Sequence, residues 1–323
     1  MNSTLFTVSV TFVNNSAVAA VESWFIPLDI LAIICTSLAI GFGTLLLFII
    51  VFDKTCHTIS MLLIANSCLA EVMFALNILG VAVFTLQNDL KQIQYQDSLC
   101  SLRGYFTYSL CTLQNYSYLL QAINRYVTVV YPTRLFWQST RTQMLLIGVT
   151  WIFSFVYSVP FLFTGKIIYD ADNQVCLLSL RLSFSICFVS FCNYMLPAWM
   201  IRLTYFNLVR YVKKMNNCVT SANNLYRAQR ELKMVHRIVI LIMILMTINF
   251  PYGVFIMISF FTTPPKYYFR FSIIFMYLSV ICVMITLFQF TDSLKKSIKK
   301  LINVRPNIVV PTVAAMVKIN RNI

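Results

Sequence analysis

Seven long apolar blocks divide this chain, and each ends where polar and charged residues cluster. A block such as Ile30 to Phe52 would run roughly 34 Å as a helix, enough to cross a hydrocarbon core about 30 Å thick. The others run about Ser60 to Leu86, Leu99 to Tyr131, Met144 to Phe163, Ser183 to Val212, Leu232 to Phe261 and Phe271 to Phe290. Helices suit such segments, because in lipid each backbone N–H and C=O must find its partner within the segment. Composition agrees: with 59% hydrophobic residues and only 11% charged, a soluble fold would expose much apolar surface to water. The predicted fold class is therefore an all-α membrane protein, a seven-transmembrane helix bundle.

Charge placement sets the expected orientation. With the N-terminus outside, 19 of the 25 Lys and Arg fall on the cytoplasmic side, and only Lys91, Arg103, Lys166, Arg181, Lys266 and Arg270 stay outside. The positive-inside rule then puts residues 1–25 outside as a tail and 292–323 inside, flanking a membrane domain over 26–291. The net charge of +15 could be read as a nucleic-acid footprint. Its cations instead line helix ends, where they meet anionic membrane lipid, so no nucleic-acid partner is expected. Ala17-Val18-Ala19 resembles a cleavage site. The absence of a basic n-region, with sequons at Asn2 and Asn14, favours an uncleaved, glycosylated tail on a multi-pass plasma-membrane protein.

Most of the ten cysteines fall in membrane blocks or face the reducing cytosol. Cys100 and Cys176 remain for the oxidising side, and a disulfide between them would pin the loop between helices four and five across the mouth of the bundle. The alternative is two free thiols.

Taken together, the residues resemble the rhodopsin-like G-protein-coupled receptors over about Gly41 to Leu301. Cys100 and Cys176 match that family's outer disulfide, and Asn124-Arg125-Tyr126 its D-R-Y triplet, with Pro132 following. Trp151 matches the tryptophan of helix four, Pro197 and Tyr205 the proline and inner tyrosine of helix five, and Pro251 the proline of helix six. Leu69-Ala70-Glu71 stands where the family has its L-x-x-x-D segment. The departures are equally clear. Gly43-Thr44 replaces a G-N pair, Asn249 replaces the helix-six tryptophan, and Val283-Met284-Ile285-Thr286-Leu287 stands where N-P-x-x-Y is expected. This is a divergent member.

The resemblance implies a receptor that binds an extracellular ligand and activates a heterotrimeric G protein, with no cofactor. Asn124, Arg125, Tyr126, Tyr205 and Glu231 would form the coupling region, with Arg125 and Glu231 as an inner lock; otherwise Glu231 is one solvated charge among several cations. Glu71 would be the intramembrane acid that binds sodium in the family, with Gln114 and perhaps Ser279 beside it. A hydrogen-bonded carboxyl is the other reading of the same residues. No metal site is otherwise expected.

The ligand is less constrained. Thr107 stands where amine receptors have an Asp, and the last block lacks the lysine that opsins need. A rim of Arg103, Arg181, Lys266 and Arg270 with several tyrosines suits an acidic or aromatic peptide, and Thr107 and Asn249 are further pocket candidates. Asp89, Asp97, Asp170 and Asp172 would equally meet a basic ligand. After Phe290, Thr291-Asp292-Ser293 is expected to cap a short amphipathic eighth helix carrying Leu294, Ile298 and Leu301. Transport, conduction and enzymatic activity are disfavoured, since no repeat, filter or catalytic constellation is present. The chief alternative is a ligand-binding protein of the same fold that does not signal through G proteins.

Overall fold

A computed structural model describes residues 25–53, 57–93, 95–134, 136–179, 183–217, 222–262 and 265–290. Asn2, Asn14, Arg181 and the segment expected to form the eighth helix lie outside these residues. The spans are α1 (Phe25–Phe52), α2 (Ile59–Lys91), α3 (Cys100–Val130), α4 (Thr140–Val156) continued by the short α5 (Val159–Phe163), α6 (Phe184–Ser190) leading through a π segment into α7 (Leu196–Asn217), α8 (Ala222–Ile248) with α9 (Phe250–Phe261), and α10 (Tyr268–Phe290). Between α5 and α6 lies an antiparallel hairpin of β1 (Ile167–Asp170) and β2 (Val175–Leu178), which pairs Tyr169 with Cys176.

Helix starts follow local capping. Thr58 accepts the N–H of Met61 and Ser139 that of Thr142, each using a side-chain oxygen to occupy a donor that the first turn leaves free. α2 ends on Gln92, whose left-handed backbone (φ 52°) lets its N–H reach back to Asn88 and Asp89.

Two expected continuous helices are broken, and proline is the reason for both. Pro197 has no N–H, and just before it the helix widens to a π segment, Phe191–Met195. Pro251 does the same in span six, where α8 and α9 meet at a bend of 50° beside Asn249.

Hydropathy is weakest where burial is greatest. Five helices and the bent α8–α9 pair are apolar enough to cross a membrane by composition alone, and α3 is not among them. It packs against α2, α4, α5, α7, α8, the π segment and both strands, so protein rather than lipid surrounds its polar residues. On α1, by contrast, Ile34, Leu38, Phe42, Leu45 and Phe48 face outward. Ala32, Cys35, Ala39 and Gly43 turn inward, small residues that let α1 lie close to its neighbours. A side chain at Gly43 would collide with Val72 and Met284.

Candidate functional site

At the end opposite the hairpin, Arg125 near the end of α3 reaches α8. Its Nη1 lies 3.0 Å from Glu231 Oε2 and 2.7 Å from Ser60 Oγ, so one guanidinium joins three spans. Glu231 is only 3% exposed, so it is not one solvated charge among the neighbouring cations. Arg230, 3.6 Å away, is largely in solvent and adds little. Asn124, one residue before Arg125, is buried. Tyr126 and Tyr205 flank an apolar cluster of Val129, Leu208, Val212, Ala228 and Val235, which packs spans three, five and six together, and Tyr205 lies 5.6 Å from the His236 ring.

Midway along the bundle, Glu71 is fully buried. Its Oε1 accepts hydrogen bonds from Gln114 Nε2 and Tyr118 Oη, while Oε2 has no partner among the described residues. Gln121 and Ser67 continue the polar line one turn further, at 2.5 Å. Tyr118 was not foreseen, although the signal was available: it lies four residues after Gln114, on the same helix face.

At the hairpin end, the Cys100–Cys176 disulfide ties β2 to the start of α3. Gly104 permits the approach, since a Cβ there would sit 2.6 Å from the Cys176 carbonyl oxygen. Two of the four cations of the expected rim are neutralised from within. Arg103 pairs with Asp97 and lies over the Phe84 ring, and Arg270 is buried, with both Nη groups on Asp89 and its plane over Phe25. Gln174 also donates to Asp89, at 2.8 Å. Arg270 is thus a clasp between spans two and seven, because a buried guanidinium needs a carboxylate. The Asp97 carboxyl is held below its usual range, first by the Leu99 N–H and then by Arg103. Thr107 accepts from Asn77 and donates to the Arg103 carbonyl.

Three cavities matter. A cleft of about 680 Å³ opens between the hairpin and the ends of α9 and α10, lined by Asp170, Asp172, Lys266 and Tyr268 among others. A second, of about 280 Å³, lies between α3, the π segment, α7, α8 and α9, and Asn249 lines it. A third, of about 40 Å³, joins that one from above and is bounded by Thr107, Tyr108 and Leu177.

The profile described as "7 transmembrane receptor (rhodopsin family)" matches residues 43–294. The chain belongs to the rhodopsin family of seven-transmembrane receptors. Among curated relatives, olfactory receptor 1D2 of Pongo pygmaeus is 30% identical over 118 residues, covering 36% of this chain and 37% of that one. Somatostatin receptor type 5 of Mus musculus is 26% identical over 40% of this receptor and 35% of its own length. Neuropeptide receptor 22 of Caenorhabditis elegans is 24% identical over 44% and 33%. The chain thus spans about a third of the length of the curated relatives it matches. The crystal structure of squid rhodopsin has the same fold, with a TM-score of 0.72 over 86% of this receptor and 85% of that chain, at 18% identity.

Glu71 is the acid that the resemblance casts as a sodium site, and the structure gives it the contacts of a hydrogen-bonded carboxyl. Gln114 turns N–H and Tyr118 turns O–H toward the carboxyl, and Ser279 donates its hydroxyl to the Met276 carbonyl. Gln114 and Tyr118 present hydrogens to the carboxyl, while the Ser279 oxygen, whose hydrogen goes to Met276, and Glu71 Oε2 keep their lone pairs. Among the described residues, no group of three or more His, Cys, Asp or Glu could hold a metal ion.

Proposed function

We propose that this receptor turns the binding of an extracellular peptide at the hairpin end into activation of a heterotrimeric G protein at the Arg125 end. The observation that carries the reading is the Arg125–Glu231 pair, which joins α3 to α8 at 3.0 Å and is almost wholly buried. Such a pair holds spans three and six together while it lasts. Separating it uncovers a cationic crevice between them, the kind of two-state element that a ligand at the other end can bias. In this reading the N-terminus and hairpin face outward at the plasma membrane.

The peptide class is supported by the size of the hairpin-end cleft, about 680 Å³, and its mixed lining of Asp170, Asp172, Lys266, Tyr169 and Tyr268. Two of the relatives carry peptide names, somatostatin receptor and neuropeptide receptor. One observation favours a second reading, a binding protein of this fold without G-protein signalling: span seven carries Val283 to Leu287 in place of the family's inner motif.

The test is nucleotide exchange on purified G proteins, using receptor in membranes and a panel of endogenous peptides. A peptide that accelerates exchange in the wild type but not in Arg125→Ala supports the first reading. Saturable peptide binding without exchange on any G protein supports the second.

A further inference from the structure

We propose that Arg202, on the lipid-facing side of span five, is an intramembrane site for the carboxylate of a long-chain fatty acid, which lies against α7 and α8 from the bilayer. This goes beyond the peptide reading, because the site is on the outer wall of the bundle, away from the hairpin-end cleft and from the Arg125 pair.

The depth of Arg202 is what needs explaining. The other cations of span five, Arg210, Lys213 and Lys214, gather at its cytoplasmic end. Arg202 precedes Arg210 by eight residues, which at 1.5 Å each sets it about 12 Å further in, near the midplane of a hydrocarbon core about 30 Å thick. An intramembrane arginine ordinarily snorkels toward the nearer surface. This one instead turns to span six, where its Nη2 lies 3.1 Å from Met243 Sδ. Met243 is twelve residues past Glu231, about 18 Å along α8 from the inner pair.

Its surroundings are apolar. Arg202 is exposed, and Trp199, Leu203 and Phe206, which share its helix face at three- and four-residue spacing, are 59%, 37% and 55% exposed. The guanidinium is always charged, and a thioether is a weak, neutral acceptor. Among the described residues no carboxylate is left to pair with it. Asp29 and Asp89 lie at the hairpin end, Glu71 is buried inside the bundle, and Glu231 serves Arg125. A second copy of the chain would bring the same shortage.

The counter-ion therefore has to come from the bilayer, and depth selects its kind. Phospholipid phosphates are tied to the interface, about 12 Å away along the span. A fatty acid carries one small carboxyl on an apolar chain and can slide inward. Its two oxygens match the guanidinium fork, and the paired charges cancel. Its chain would then cover Trp199 and Leu203.

The test uses receptor in phosphatidylcholine nanodiscs and a palmitic acid carrying a diazirine near its carboxyl, beside the methyl ester of the same probe. The expected result is saturable labelling by the acid on the segments around Arg202 and Met243. Unlabelled palmitate should compete, and the acid should outdo the ester about tenfold or more, as one charged pair allows. Arg202→Gln should erase that advantage; Arg202→Leu makes the same comparison should that variant express poorly. Arg202→Lys, which keeps the charge but not the fork, should retain part of it, and Arg210→Gln should leave it in place. Equal labelling by acid and ester, or an advantage that survives in Arg202→Gln, would overturn the proposal. Displacement of the probe by phosphatidylserine as readily as by palmitate would assign the charge to lipid headgroups and overturn it as well. None of these results depends on whether a peptide binds the outer cleft.

Discussion

Asn115 on α3 donates its side-chain N–H to the Asn193 carbonyl at 2.9 Å, a carbonyl that Pro197, lacking an N–H, cannot serve four residues on. One amide thus repairs the backbone of span five from span three. Asn193 returns the favour with its own side chain, which accepts from Thr112 and from Tyr157 at 2.6 Å. Replacing Asn115 by Leu strands the carbonyl in a dry interior, and the expected loss is about 1–3 kcal/mol of stability. Thermal unfolding of purified receptor, with the lipid-facing Leu38→Ala as control, measures it; a change no larger than the control's would remove this role.

The Arg125–Glu231 pair predicts agonist-free signalling. Asn124 supplies no charge to Arg125, so Glu231 is its anionic partner in the described residues. Charged hydrogen bonds contribute about 1.5–3 kcal/mol, reduced by screening near water, so a several-fold rise in basal nucleotide exchange is expected for Glu231→Ala. Asn124→Asp should lower it. The measurement is basal exchange at matched surface expression, and a flat response in Glu231→Ala would show that the pair restrains nothing.

The two arginines at the hairpin end should behave differently. Arg270→Ala leaves Asp89 buried and unpaired, a change that typically costs about 3–5 kcal/mol, so poor surface expression and a lower Tm are expected, with partial rescue by Asp89→Asn. Arg103→Ala, at a wetter pair, should change stability little. Because the Asp97 carboxyl is held low, its contribution is fully present above the ordinary carboxylate pKa and is lost only as pH falls through the lowered value. The stability difference between wild type and Asp97→Asn should therefore stay constant from neutrality down to about pH 5.

Tyr118→Phe removes one of the two donors to Glu71 Oε1. The expected destabilisation is about 1–3 kcal/mol, relieved in the double variant Glu71→Gln/Tyr118→Phe, which has no carboxyl to satisfy. A double-mutant cycle on Tm decides this, and additive losses would mean the two side chains act independently.

The disulfide constrains the hairpin over the bundle mouth. Cys100→Ser or Cys176→Ser should cost about 2–4 kcal/mol and lower surface expression. Matching loss in the two single variants, with no further loss in the double, is the expected pattern in flow cytometry.

Much of this architecture was legible because hydrophobic blocks act locally. Each span is legible from its length, whereas the two breaks are not: the blocks holding Pro197 and Pro251 read as continuous helices, and the π segment and the 50° bend appear only in the packed bundle. The inner pair was legible from the spacing of Arg125 and Glu231 relative to neighbouring landmarks. Arg270 was misjudged as a rim cation, because sequence position places it near the mouth and says nothing of Asp89, 181 residues earlier, which draws it inward. Tyr118, Asn193 and Tyr157 escaped notice for a related reason. Their polar groups find partners only across helices, and single residues in apolar runs carry no sign of what they will face.

A membrane helix as polar as α3 is a poor resident of lipid by itself. Its Gln114, Gln121 and Arg125 become tolerable only once Glu71, Ser67, Ser60 and Glu231 are beside them. During biosynthesis this helix therefore has to be received by partners already waiting, α2 above all, or be held at the insertion machinery until α8 emerges more than 90 residues later. Substitutions that weaken those partners should surface first as receptor retained and degraded during biogenesis, before any ligand is met.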